Sequence, residues 1–493
     1  MPLPTGLYRP SLALLTDLYQ LTMAYAYWKS GMERVEAAFH LFFRRNPFGG
    51  GFTIACGLEH AIDLIESLRF EPDDLAYLAE VRGADGKPLF EREFLEYLGS
   101  LRLACDVDAV PEGTAVFPLE PMVRVTGPIL HAQLVETPLL ALVNFQSLIA
   151  TKAARAVLAA RGEPVLEFGL RRAQGFDGAL SASRAAWIGG CAATSNVMAG
   201  RFFGIPVSGT HGHSWVMAFD DEQQAFRAYA QALPNSCVFL VDTYDTLQGV
   251  RHAMQVGEEL RARGHEMIGV RLDSGDLAWL SSEARKMLDA SGFPSARIIG
   301  SNELDENLVA SLKEQGAGIS AWGVGTRLVT GHPDAALGGV FKLTAVRTPP
   351  EPWRPKVKLS EQPIKTSIPG VLQTRRFFGE SEAVADVIYD VGMAPRGPIT
   401  MVDPLDPTRR RTVPDGATSE ELLVPIFRDG RRVYDPPPLT EVRKRVSSEL
   451  SRFHPGVKRF VNPHLYPVGL ERGLHDVRTR LILEARGGSE RTH

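Results

Sequence analysis

The sequence is poor in cysteine, has no long apolar run and carries no excess of either charge. Four cysteines occur in 493 residues, Cys56, Cys105, Cys191 and Cys237, and they are scattered without CxxC spacing. That excludes a disulfide framework or a zinc knuckle and fits a reducing compartment. No stretch approaches the ~18 apolar residues that a membrane span needs. The opening MPLPTGLYRPSLALLTD lacks a basic stretch followed by an apolar core. No signal peptide is therefore expected, and the expected location is cytoplasmic. Lysine and arginine number 54 against 58 acidic residues, a formal charge of −4, so no global basic field points to nucleic acid. Apolar residues make up 44% and charged residues 23%, which excludes a disordered or fibrous chain. Local arginine clusters remain suited to small anions.

What is present is a rhythm that changes twice. In residues 1–137, Leu14, Leu18, Leu21 and Tyr25 recur at helical steps, with Thr16 or Asp17 placed to cap the start. The same period returns at 58–70. Between 114 and 138 the short runs TAVFP, MVRVTGP and ILHAQLVETP read as strands of a small sheet. In residues 138–337, apolar β-type runs stand at 164–169, 205–209, 237–242, 267–272, 296–300 and 319–324. Helical stretches at 245–263, 274–290 and 304–315 separate the later ones. This alternation predicts a parallel sheet covered by helices, and six units suit a barrel better than an open sheet. Residues 338–493 return to short strands and turns, with Asp429-Gly430 as a type I′ hairpin. The basic runs at Arg409, Arg410 and Arg411 and around Lys444 read as solvated surface.

Parallel α/β architectures bind ligands at the carboxyl ends of their strands. The residues there are Arg171 and Arg172; Thr210, His211 and His213; Asp242 and Thr243; Arg271 and Asp273; Ser301 and Asn302; then Gly323, Gly325 and Thr326. Together they favour one face that carries cations, hydroxyls and carboxylates. The Gly323–Thr326 segment suits a phosphate cradle or a tight turn. Arg171 suits a bidentate contact to carboxylate or phosphate, or an exposed surface, with Glu167 the only carboxylate at helical spacing from it. His211 and His213, in SGTHGHSW, fit a metal site, loop capping, or a nucleophile or acid–base group. Asp273 and Asp276 fit ribose hydroxyls or a metal-bound diphosphate, while Asp273 or Ser274 also fits a helix cap.

Beyond these patterns, LLTDLYQLTMAYAYW (14–28), FFRRNPFGGGF (42–52), EFGLRRAQG (167–175), SGTHGHS (208–214), GVRLDSGDL (269–277), GSNELDE (300–306), GVGTRLVTG (323–331) and KLSEQPIKTSIPG (358–370) occur in one order along the chain. This set resembles the nicotinate phosphoribosyltransferase family, of the type II phosphoribosyltransferases. The resemblance implies an irregular α/β barrel over 138–337, with a second α/β domain built from 1–137 and 338–493. It implies synthesis of nicotinate mononucleotide and diphosphate from nicotinate and phosphoribosyl diphosphate, coupled to ATP hydrolysis with Mg2+, in NAD salvage. His213 then matches a histidine phosphorylated by ATP. Tyr19 matches an aromatic residue that stacks on the pyridine ring across a homodimer interface. Thr210 and Arg271 match nicotinate contacts, and Gly323, Gly325 and Thr326 match the site of the sugar 5′-phosphate. Arg171, Asp273, Ser301 and Asn302 match further ribose, phosphate or carboxylate contacts. Metal ligands are not implied. Gln362 departs from the acidic residue usual in its motif, and no type I phosphoribosyltransferase signature is present. Two alternatives stand beside this reading: a sister enzyme that prefers nicotinamide, and a binding protein that has lost catalysis.

Overall fold

Short runs of β-branched and apolar residues form six parallel strands in the middle of the chain. They are β1 (Val165–Glu167), β2 (Ala193–Thr194), β3 (Val238–Leu240), β4 (Gly269–Leu272), β5 (Arg297–Gly300) and β6 (Ala321–Val324). The computed structural model describes residues 12–380, 382–395, 397–414 and 416–487. Its chain divides into two compact units, one of residues Leu148–Ala335 and one of the segments before and after it.

In the middle unit the strand order is β2-β1-β6-β5-β4-β3, every neighbouring pair parallel. The strand expected at 205–209 shrinks to one parallel bridge, Thr194 to Val207, because Pro206 has no N–H to give a ladder. Ser208 N–H donates to the Thr194 carbonyl at 3.0 Å on one side. On the other, the Leu240 N–H of β3 donates to His211 Nε2 at 3.2 Å. Residues 206–211 thus span the gap between the two edge strands, which makes this an irregular barrel rather than an open sheet.

The connecting helices are α1 (Gly175–Ile188), α2 (Val197–Phe203), α3 (His213–Met217), α4 (Glu222–Ala232), α5 (Thr246–Ala262), α6 (Leu277–Ala290), α7 (Glu306–Glu314) and α8 (Thr326–Val329). Five of them begin on a side-chain cap: Asn196, Asp221, Asp245, Asp276 and Asp305 each accept a backbone N–H of the first turn. Each such cap contributes roughly 1 kcal/mol and sets where the strand-end loop stops. The cap after β4 is Asp276, so neither Asp273 nor Ser274 fills that role. Helix α5 buries Val250, Ala253, Val256 and Leu260, one stripe at steps of three and four.

The other unit contains two large sheets. One of seven strands runs, in spatial order, Arg354–Pro355, Val340–Arg347, Glu36–Phe42, Val123–Pro128, Asp106–Ala109, Val424–Arg428 and Arg431–Arg432. The other has six strands, from Arg410–Val413 at one edge to Ser419–Glu421 at the other. The hairpin at Asp429-Gly430 has positive φ at both residues, 48° and 70°, as a type I′ turn requires. Two expectations fail here. ILHAQL is a helix, Ile129–Leu134, whose polar Gln133 is buried and donates to the Gln20 carbonyl, so its mixed pattern mimicked a strand. In the helix Leu18–Lys29, Asp17 makes no cap bond; its carboxylate accepts from the Thr137 hydroxyl at 2.9 Å. Leu21 is buried with Leu14 and Tyr25 against it, whereas Leu18 faces outward.

Candidate active site

Arg271, near the end of β4, organises the carboxyl face of the barrel. Its Nε donates to Ser301 Oγ at 2.8 Å, one terminal nitrogen to Thr210 Oγ1 at 3.1 Å and the other to Asp273 Oδ1 at 2.8 Å. Three elements far apart in sequence therefore converge on one guanidinium. Of its five N–H donors, two remain unspent. The guanidinium carbon also lies 5.6 Å from the centre of the Phe168 ring, which follows β1. A cleft of about 210 Å³ opens beside it, bounded by Phe168, Leu170 and Arg171 from the β1 loop. Ser195, Gly209 and Thr210 complete its wall. The Asp273 carboxyl is opposed by burial, yet the Ser301 hydroxyl and Arg271 hold it below the usual carboxylate range.

Behind this group sits a second carboxylate. Asp242 Oδ2 accepts from the Asp273 N–H at 2.8 Å and from the Ser274 hydroxyl at 2.6 Å. Its Oδ1 is buried and has no hydrogen-bond partner among the described residues. Next along the chain, Thr243 Oγ1 lies 3.1 Å from His213 Nδ1, while His213 Nε2 lies 3.8 Å from Asp273 Oδ2. His213 opens α3, and its side chain is 41% exposed. A ring nitrogen within reach of solvent, beside a carboxylate and a hydroxyl, can accept and release a group.

The two histidines of SGTHGHS separate cleanly. His211 is buried among Phe226, Tyr229 and Phe239 and accepts a backbone N–H, so it serves the barrel closure. Burial pulls its pKa down to about 4. Because the folded ring resists protonation, its contribution to stability is complete above the unfolded value near 6.5 and declines as pH falls towards 4. Wild type is expected to lose about 2 kcal/mol more between pH 7 and pH 5 than His211→Gln, in urea titrations. Equal losses in the two proteins would remove this assignment. Among the described residues no three histidine, cysteine or acidic side chains are grouped to hold a metal ion.

The neighbouring strand ends refine the remaining expectations. A Cβ on Gly323 would meet the Phe168 ring at 2.8 Å, so packing within the barrel requires a glycine here. Gly325 precedes α8, whose first residue, Thr326, gives its hydroxyl to Glu303 at 3.0 Å. Asn302 and Glu303 both hold positive φ, 91° and 38°, an unfavourable backbone for residues with a side chain. Arg171 is exposed in the turn after β1 and borders the cleft. Glu167 does not pair with it. That carboxylate is buried, accepting from the Ser183 hydroxyl at 2.9 Å, the Thr194 hydroxyl and the Gly169 N–H, and it holds the β1 loop in shape.

The structure thus brings Thr210, Arg271, Asp273, Ser301 and His213 into one chain of contacts, with Arg171 on the same cleft and Asn302, Gly323, Gly325 and Thr326 at adjoining strand ends. Tyr19 belongs to the other unit, on the helix Leu18–Lys29, and is half-exposed. Sequence reasoning missed Phe168, Ser195 and Gly209 on the wall. It also gave no role to Asp242 and Thr243, although both stand at a strand end.

Similarity to known proteins agrees with this layout. A model described as the nicotinate phosphoribosyltransferase N-terminal domain matches residues 14–144, one of the nicotinate phosphoribosyltransferase family matches 164–383, and one of the C-terminal domain matches 373–478. The chain is 41% identical to the nicotinate phosphoribosyltransferase of Bacillus subtilis, over 96% of this chain and 97% of that one. It is 36% identical to the human enzyme of the same name, over 94% and 95%. The crystal structure of human nicotinic acid phosphoribosyltransferase superposes with a TM-score of 0.82 at 34% identity, covering 94% of this chain and 99% of that one. With identity of this level sustained along nearly the whole length, and a barrel whose strand ends converge on Arg271, the chain belongs to the nicotinate phosphoribosyltransferase family.

Proposed function

We propose that this protein transfers the phosphoribosyl group of phosphoribosyl diphosphate to nicotinate, with ATP hydrolysis coupled through His213. The observation that carries the reading is the Arg271 fork. Ser301, Thr210 and Asp273 hold the guanidinium in place, and it keeps two N–H donors beside a cleft with an aromatic wall. A planar base with a carboxylate suits that combination. The pyridine nitrogen lone pair attacks the ribose C1′, the C1′–O bond breaks, and diphosphate departs with the electron pair. Pre-positioned donors and held substrates supply most of the acceleration in such a step. Gly323, Gly325 and Thr326 fit the sugar 5′-phosphate, and Arg171, Asp273, Ser301 and Asn302 fit ribose and phosphate oxygens.

For the coupling, a ring nitrogen of His213 attacks the γ-phosphorus of ATP and ADP leaves; water later releases phosphate. Magnesium binds through one or two carboxylates together with substrate phosphates. Asp242, with its unpartnered buried oxygen, and Asp273 are the side chains that fit it. When bound, the ion would neutralise phosphate charge. Exposed Leu15, Leu18 and Met23 surround Tyr19, and pairing of two copies over that stripe suits a homodimer. No helix among the described residues is long and apolar enough to cross a membrane. We place the enzyme in the cytoplasm on its scattered cysteines.

The test is turnover with both bases. Purified protein supplied with phosphoribosyl diphosphate, ATP and magnesium should form the mononucleotide of nicotinate in strong preference to that of nicotinamide. Equal or better use of the amide would overturn the base assignment, and no product with either base would overturn the reaction.

A further inference from the structure

The run Arg409-Arg410-Arg411, which reads from sequence as solvated surface, borders a cleft of about 370 Å³ in the unit built from the two chain ends. We propose that this cleft is a second ligand site, for an organic phosphate with a planar apolar body of mononucleotide size. The volume lies in the range of small-molecule sites.

The walls are built before any ligand arrives. Asp403 Oδ1 accepts the N–H groups of Leu405 and Asp406 at 2.8 and 3.1 Å, which fixes the loop between strands Ile399–Val402 and Arg410–Val413. Buried Arg478 donates to the Pro404 carbonyl of the same loop at 2.9 Å. The lining also includes the Phe117 ring, itself buried, which stacks on half-buried Tyr466 with centroids 4.2 Å apart, and the Tyr466 hydroxyl donates to buried Asp386 at 2.8 Å. Leu119, Met401 and Leu465 extend this apolar wall.

The charge comes from the arginine run, in which Arg411 pairs with Met401 across two adjacent strands. Arg409 Nε meets Asp406 at 3.1 Å, Arg410 Nε donates to the Pro407 carbonyl at 3.1 Å, and an Arg411 terminal nitrogen donates to the Val384 carbonyl at 2.8 Å. Each guanidinium is held along one edge and keeps further N–H donors for a ligand. Among the described residues Asp403 is the one lining carboxylate, against three arginines. Guanidinium forks match phosphate oxygens, and the apolar part of the lining suits a ring rather than a bare ion. Arginines on an edge strand also deter edge-to-edge pairing, but that accounts for the charge and not for the cavity.

The experiment is calorimetric titration with AMP of wild type, of Arg410→Glu/Arg411→Glu, of Arg410→Lys/Arg411→Lys and of Arg271→Ala. Binding should persist in Arg271→Ala and weaken at least about tenfold in the double glutamate variant, where each decade is about 1.4 kcal/mol. The double lysine variant should fall between. Normal nicotinate turnover by the glutamate variant shows that it is folded and that the site is separate from catalysis. Adenosine and inorganic phosphate should each bind more weakly than AMP. Unchanged AMP binding in the glutamate variant, loss only in Arg271→Ala, or no AMP binding at millimolar concentration would each overturn the proposal. None of these outcomes depends on which base the enzyme prefers.

Discussion

Arg271→Ala is expected to lower kcat/KM for nicotinate by about 30- to 1,000-fold, the equivalent of about 2–4 kcal/mol for truncating one partner of a desolvated charge pair. The size follows from what the side chain does. It is the shared donor to Ser301, Thr210 and Asp273, so its loss removes the cation that lines the cleft and unties three strand-end loops at once. A control separates these effects. If Arg271 recognises the carboxylate, the residual turnover with nicotinamide should fall much less than that with nicotinate. If it only ties loops together, both bases should suffer alike. Arg271→Lys keeps the charge but cannot reach three acceptors from a rigid fork, and should recover only part of the loss. A wild-type kcat/KM in the alanine variant would take Arg271 out of the site.

Much of this site was legible because strand ends obey a local grammar. Asp242 and Asp245, Asp273 and Asp276, and Ser301 and Asp305 repeat one arrangement: a polar residue that faces the site, then a cap three or four positions later that starts the next helix. The alternation of apolar strands with amphipathic helices exposed the barrel for the same reason. What stayed hidden depends on contacts that no spacing encodes. Phe168 reads as one more apolar residue until its ring is seen against Arg271 and over Gly323. Glu167 reads as a partner for Arg171 until burial hands it to Ser183 and Thr194. The strand at 205–209 was misjudged because the closure there is made by a side chain, His211, in place of a ladder. Helix Ile129–Leu134 was mistaken for a strand because burial on several sides erases the amphipathic period on which such readings rest.

His213→Ala is expected to abolish the stimulation by ATP and leave only a slower reaction that does not consume it. Of the two histidines in this loop only His213 can serve. His211 has its Nε2 occupied by the Leu240 N–H inside an aromatic cage, whereas the His213 side chain is 41% exposed between Thr243 and Asp273. Phosphorylation of that ring would add roughly 1.5–2 negative charges within the Arg271–Asp273 group. Asp273 would then be repelled and Arg271 drawn towards the new anion, which redistributes the fork and ties nucleotide hydrolysis to the grip on substrate. Incubation with ATP labelled in the γ-phosphate gives a direct readout. Wild type should carry acid-labile label, and His213→Ala should carry none while still forming some mononucleotide. Label retained in that variant would put the nucleophile elsewhere in the chain. A variant with neither label nor basal turnover, yet still able to bind phosphoribosyl diphosphate, would mean that the imidazole takes part in the transfer itself.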